Sequence, residues 1–280
     1  MSYLKLYMGC LVIGILLLSH QFVSARPTFH AIIVTEHDVS IGSVRDSIRV
    51  NAEVRLIAEM GEMDLKVKNF GRYDNGIGSY MSNLSVGADD VLMFYYTGHG
   101  GNNQNDTYAS NYPEFDNQQH TMKAEKVYNK LKTKDARLTF VFYDCCNHRV
   151  YGNLPGTRTG VGRALPTSAQ VLLFRNARGS VLVASSELGE FSKGTPLIGG
   201  FATDAFFRAI REVKYRTDEQ QQNIWPNVLS EMVDNTHEMN SRQTPIFKNE
   251  ITGIEIEVAD NEVHAAPNGS FSGAEDWEDK

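Results

Sequence analysis

The sequence predicts an α/β fold in which helices cover both faces of a mostly parallel sheet. Short β-branched and apolar runs recur along the chain, separated by longer stretches whose apolar residues repeat at helical spacing. The runs are continuously apolar rather than alternating, which is how strands read when a parallel sheet is buried on both faces. Strands alternating with helices then place helices on either side of one sheet.

The first run is Phe29 to Val34. A helix is expected from Ser43 to about Met60, on Val44, Ile48, Ala52, Leu56 and Met60, with Gly61 placed to end it. Leu65 to Phe70 reads as the second strand, a weaker helical stretch spans Ile77 to Val86, and Val91 to Tyr96 reads as the third strand. Met122 to Leu131 is the next helix, Leu138 to Tyr143 the fourth strand and Ser180 to Ala184 the fifth. Phe201, Ala205, Ala209 and Val213 mark one helical face, and Ile224, Val228 and Met232 another. Thr244 to Phe247 and Ile251 to Val258 are two candidate final strands. No internal repeat is visible.

The chain divides into residues 1–25, 26–258 and 259–280. The first segment runs from Lys5 through the apolar block Leu11 to Leu18 to Val23-Ser24-Ala25, small residues where a signal peptidase cuts. Its apolar core is shorter than the roughly 20 residues that span a bilayer. We therefore expect a cleaved signal peptide, a mature chain beginning at Arg26, and a secreted, extracellular or periplasmic protein without a membrane span. The last segment, with Glu275, Asp276, Glu278 and Asp279, reads as a solvated acidic tail.

With 41% hydrophobic and 22% charged residues, the chain has the composition of a folded domain with a sizeable core. Signal removal takes away Lys5 and no acid, moving the formal net charge from −7 to −8. An acidic chain without a Lys/Arg run has no electrostatic footprint for nucleic acid. Three Asn-x-Ser/Thr sequons lie at Asn83, Asn105 and Asn268. Cys10 leaves with the signal, so only the neighbours Cys145 and Cys146 remain. A disulfide scaffold is not expected from two adjacent cysteines, and a vicinal disulfide would be strained and would silence the thiols.

Two loops follow the ends of core strands, where open α/β sheets place their ligands. Gly100 to Gln119 is polar, and Asn147 to Ala169 is punctuated by Gly and Pro. The strand before the first loop ends in Tyr96-Thr-Gly-His99-Gly100-Gly101, and the strand before the second in Asp144-Cys145-Cys146. Side by side in a parallel sheet, those strands project His99 and Cys146 from one edge. A thiolate is the reactive form of cysteine, and an imidazole beside it manages its proton, so the pair suits nucleophilic acyl transfer. Backbone N–H groups of Gly100 and Cys146 are positioned to stabilise an oxyanion. Cys145 reads as a small buried hydrophobe. Zinc is not expected at Cys145, Cys146, His148 and His99, since adjacent cysteines suit one tetrahedral ion poorly and no Cys-x-x-Cys occurs.

These two motifs resemble the histidine and cysteine signatures of the caspase/metacaspase superfamily. His99 and Cys146 are 47 residues apart, close to the roughly 50 seen in caspases. The similarity continues in Gly179 to Ser186, Gly199-Gly200-Phe201 and Gln243-Thr244-Pro245. The resemblance implies a caspase-like three-layer α/β/α sandwich and a cysteine endopeptidase acting on peptides or proteins. It aligns Cys146, not Cys145, with the nucleophile. It also aligns Asp144 with an acid of the primary specificity pocket of metacaspases, which cut after Arg or Lys, offers Asp46 as a second acid, and makes Ser185 and Ser186 candidates for binding substrate backbone. An acid three residues after Ser43 equally suits the positive end of a helix.

Asn147-His148-Arg149 departs from the family's usual His-Ser-Gly, and Arg149 is placed to neutralise Asp144. Two other readings follow, a catalytically silent caspase-like binding module and a legumain-like peptidase. The chemistry requires no cofactor. Some metacaspases use calcium, but no loop here has the ligand spacing of a dedicated calcium motif, and Asp89 and Asp90 read as a solvated turn.

Overall fold

The computed structural model describes residues 26–103, 110–117, 120–148 and 169–255. Strands β1 (Thr28–Thr35), β2 (Asp64–Gly71), β3 (Val91–Thr97), β6 (Leu138–Asp144), β7 (Ala177–Ala184) and β10 (Ile246–Ile254) form a six-stranded sheet. Between them lie two small hairpins, β4 (Glu114–Asp116) with β5 (Thr121–Lys123), and β8 (Gly194–Thr195) with β9 (Gly199–Gly200). The sheet order is β10-β7-β6-β3-β1-β2, parallel throughout except for β10, which runs antiparallel to β7. Helices α1 (Ser43–Met60), α2 (Ile77–Asn83), α3 (Ala124–Lys132), α4 (Phe201–Glu212), α5 (Asp218–Gln222) and α6 (Ile224–Met239) complete the chain.

Because strand side chains alternate with a period of two, β6 sends Leu138, Phe140 and Phe142 to one layer and Val141 and Tyr143 to the other. The first layer is covered by α1, α4 and α6, which supply Val50, Val54, Ile57, Ala205, Phe206, Trp225 and Val228. Phe140 sits at the centre of that layer, stacked on Phe206 at 5.3 Å and packed against Phe174 and Trp225. The opposite layer is closed by α2 and α3 through Ile77, Met81, Val127, Tyr128 and Leu131. The three-layer α/β/α architecture is thus the predicted one.

Helix α1 has the expected ends but a different buried face. Ser43, Asp46, Val50, Glu53, Val54 and Ile57 point inward, while Ile48 is 61% exposed. A strict four-residue series drifts about 40° per step around a helix of 3.6 residues per turn, whereas mixed steps of three and four hold one face. The two candidate final strands are one strand, β10, whose register with β7 shifts between Ile251 and Gly253. Its exposed Lys248 and Asn249 and the half-buried Glu250 interrupt the apolar signal as on any edge strand. A π-helical turn, Val171–Asn176, leads into β7 and is fastened by the Trp225 indole N–H, which donates to the Leu173 carbonyl at 3.0 Å.

Candidate active site

The parallel register of β3 and β6 pairs Thr97 with Asp144, and the Gly98 N–H continues the ladder by donating to the Asp144 carbonyl at 3.2 Å. Both chains then run two residues past the Thr97–Asp144 pair, to His99 and to Cys146, at the carboxyl edge of neighbouring strands. Gly98 makes the turn possible. Its φ is +152°, and a Cβ there would lie 2.6 Å from the Cβ of Glu36.

The backbone of His99 is held on both sides. Its N–H donates to Glu36 Oε2 at 2.5 Å, and its carbonyl accepts from the Tyr96 hydroxyl at 2.5 Å. Arg72 donates to the same Glu36 oxygen at 2.8 Å. The imidazole is 48% exposed, and its Nε2 lies 3.4 Å from Asp38 Oδ2. The Cys146 sulfur lies 3.5 Å from the Ser192 carbonyl oxygen, so at rest each side chain has a partner other than the opposite member of the pair. Burial pushes the Cys146 thiol up from its ordinary value, so the resting sulfur is protonated.

Cys145 is 1% exposed, and burial lifts its thiol well above the ordinary range. Both cysteines are free. The Cys145 sulfur fills the space above Gly100, where an added Cβ would lie 2.5 Å from Sγ, 2.8 Å from the Cys145 Cβ and 2.9 Å from the Glu114 carbonyl oxygen. Among the described residues the Gly100 N–H donates to no acceptor.

Two acids lie buried beside this edge. Asp144 Oδ2 accepts from the hydroxyl and the N–H of Thr203, at 2.6 and 3.1 Å, and its Oδ1 accepts from Ser192 Oγ at 2.8 Å. Asp46 Oδ2 accepts from the Gly200 N–H at 2.8 Å and from Thr97 Oγ1 at 3.1 Å, while Oδ1 has no partner among the described residues. Burial raises both carboxyls above the ordinary aspartate value, and the charge of Asp144 raises Asp46 further. Gly199 and Gly200 cover the pair so closely that a Cβ on Gly199 would collide with Asp46, and one on Gly200 with Asp144. The Asp46 side chain therefore ties α1 to β9 and β3 rather than capping its helix, whose N-cap is Gly42.

The caspase domain family model matches residues 72–253, which contain both His99 and Cys146. The chain belongs to the caspase domain family of cysteine peptidases. Among solved structures, caspase-1 from Spodoptera frugiperda superposes with a TM-score of 0.53 at 14% identity, over 82% of this chain and 89% of that one. No curated protein sequence matches the chain significantly.

In this caspase domain Ser185 and Ser186 bond the backbone that follows β6. Ser185 Oγ accepts from the Cys145 N–H at 3.0 Å and lies 3.0 Å from the Cys145 carbonyl, to which Ser186 Oγ also donates at 3.2 Å. Both serines are fully buried, with their hydroxyls turned to the Cys145 backbone at the end of β6. Asn147, where the family motif differs, is a buried node. Its amide donates to the Asn111 and Ser186 carbonyls at 2.7 and 3.0 Å and accepts from Asn102 at 3.0 Å. His148 stacks on Phe191 with ring centres 4.3 Å apart. Asp90 is no free turn acid, since it accepts from the N–H groups of Thr28 and Gly87 and pairs with His30. Arg149 and residues 1–25 and 259–280 lie outside the described residues. Among the described residues no group of three or more His, Cys, Asp or Glu could hold a metal ion, and no helix is long and apolar enough to cross a membrane.

Sequence reasoning missed Glu36, Asp38, Ser192 and Thr203, and named Gln243 only as part of the family resemblance, with no role. The fully buried Gln243 accepts from the Lys193 N–H and donates to the Ser185 carbonyl and Ser192 Oγ, so it braces the segment that holds Asp144. The usable signal for the first two was their place directly after β1, at the ligand-bearing edge of the sheet. A cleft of about 570 Å³ opens there, lined by Glu36, Asp38, Arg72 and Tyr73 among others.

Proposed function

We propose that the chain is a secreted cysteine endopeptidase in which His99 and Cys146 form the catalytic dyad, cleaving after Arg or Lys. The observation that carries the reading is the β3–β6 register, which delivers the two side chains to the same edge of adjacent strands. A protonated resting thiol assigns His99 the work of a general base. His99 takes the thiol proton as the sulfur attacks the substrate carbonyl carbon. The oxygen gains the negative charge, and the Gly100 and Cys146 N–H groups stabilise it. Collapse of the adduct breaks the C–N bond, the leaving amine takes the proton from His99, and a thioester remains on Cys146. A water deprotonated by His99 then releases the acid and restores the thiol.

Basic specificity rests on Asp46 and Asp144, two carboxyls held together with one oxygen unpartnered among the described residues. A substrate guanidinium or ammonium relieves their mutual repulsion and supplies the missing donors. Secretion rests on residues 1–25 alone, with Arg26 as the first mature residue.

The test is cleavage-site profiling of a proteome-derived peptide library with wild type, His99→Ala and Cys146→Ala. The expected result is cuts after Arg and Lys by wild type only, with unchanged melting temperatures in the variants. Turnover by Cys146→Ala refutes the dyad. No turnover by well-folded wild type favours a silent binding module.

A further inference from the structure

The geometry points to Asp38 as a positioning residue that turns the pair into a Cys146–His99–Asp38 relay, and this inference rests on the proposed dyad. A carboxylate beside a catalytic imidazole fixes which ring nitrogen carries the proton and stabilises the imidazolium that forms when the thiol is deprotonated. Here Asp38 Oδ2 faces His99 Nε2 at 3.4 Å. Catalytic contacts are often long in the absence of substrate and tighten when it binds.

The carboxylate is held in place for this contact. Its Oδ1 is occupied by both donors of Ser40, the N–H at 2.8 Å and the hydroxyl at 2.6 Å, which leaves Oδ2 to the imidazole. Those Ser40 bonds are the main cause of a carboxyl held below the ordinary aspartate value, so the group is an anion at neutral pH. The loop beneath it is fixed in turn. The buried Ser43 hydroxyl bridges the Glu36 and Asp38 carbonyls, and the Asp38 N–H bonds back to the Glu36 carbonyl at 2.7 Å. Glu36 also receives the His99 N–H, so one short loop holds the histidine by its backbone through Glu36 and by its ring through Asp38.

At 3.4 Å the contact is an ion-pair distance that closes to a hydrogen bond when the ring turns; with the proton on Nε2 toward Asp38, the other nitrogen, Nδ1, is left unprotonated to take the Cys146 thiol proton. The charged groups around the ring are Asp38 and Glu36 from the loop after β1 and Arg72, paired to Glu36, just past the end of β2; the titratable Cys146 thiol follows β6 on the neighbouring strand.

The test combines kinetics with 15N-histidine spectra of the resting protein, in wild type, Asp38→Asn and Ser40→Ala. An asparagine amide can turn its donor toward the ring and so select the wrong tautomer, as in the triad precedent. In Asp38→Asn, kcat falls at least 10-fold with KM within about two-fold, and the His99 signal, assigned by its loss in His99→Ala, moves away from the Nε2–H form. Ser40→Ala, which keeps the carboxylate but frees it to rotate, gives a smaller loss of the same kind. An unchanged kcat, a loss confined to KM, or an Nε2–H tautomer that persists in Asp38→Asn overturns the assignment. If wild type cleaves nothing, the dyad reading fails, and the spectra still decide whether Asp38 orients the ring.

Discussion

Gly100→Ala is the sharpest mutational test of the site's packing. The new methyl would lie 2.5 and 2.8 Å from Cys145 Sγ and Cβ, and 2.9 Å from the Glu114 carbonyl oxygen. None of these atoms is the free end of a flexible side chain. Cys145 is buried and fastened through its N–H and carbonyl to Ser185, and the Glu114 carbonyl accepts from the Gly101 N–H. Overpacking of such a site costs typically about 1–3 kcal/mol, and rigid neighbours place this case in the upper half. At about 2–4 °C per kcal/mol for a domain of this size, the melting temperature falls by roughly 4–12 °C. Relief by backbone movement displaces the residue-100 N–H, and on the proposed mechanism loss of one oxyanion donor lowers kcat by about 10²–10³. Urea melts of Gly100→Ala, Cys145→Gly and the double variant isolate the clash. The double variant is expected to recover about 1 kcal/mol or more relative to additivity. Strict additivity, or a single-variant loss under about 0.5 kcal/mol, refutes the packing argument.

Two further outcomes follow from the buried ionisable groups. Asp46 and Asp144 bind their protons more tightly folded than unfolded, so they subtract stability as pH rises from the ordinary carboxyl value through their raised folded values. Asp46→Asn removes part of that dependence, and its unfolding free energy relative to wild type should increase between about pH 4 and pH 8; a flat or falling difference contradicts the raised carboxyl. Burial lifts the Cys146 thiol, so in His99→Ala its alkylation by iodoacetamide should rise only above the pH at which free cysteine ionises, with Cys145 unlabelled; peptide mapping that finds Cys145 modified first reverses the assignment of the two thiols.

The strands that build the site were legible because each is a continuous apolar run, and β3 and β6 end in residues whose chemistry is unusual. Helix α1 was legible in extent but not in facing, since Ile48 is a helix-compatible apolar residue that points to solvent. Segments of two or three residues such as β4, β5, β8 and β9 carry no period to read. Residues whose roles depend on a distant partner were hidden for the same reason. Asp38 matters because β1 lies beside β3, and Gln243 because the Lys193 segment folds back onto it. The acid pair was half legible, since Asp46 and Asp144 were named but the glycines pressed against them were not connected to them.

On the proposed dyad, the register of β3 against β6 makes activity a reporter of folding fidelity. A slip of one residue between these strands advances Cys146 by about 3.3 Å and turns Phe140, Phe142 and Tyr143 to the wrong layers. Chains trapped in such a state would retain their helices and much of their sheet, and far-ultraviolet dichroism would count them as refolded. The fraction of thiol that reacts with a substrate-like acylating probe would not. The difference between those two yields measures how often the sheet assembles out of step, and single-residue insertions in either strand should widen it without removing the secondary structure.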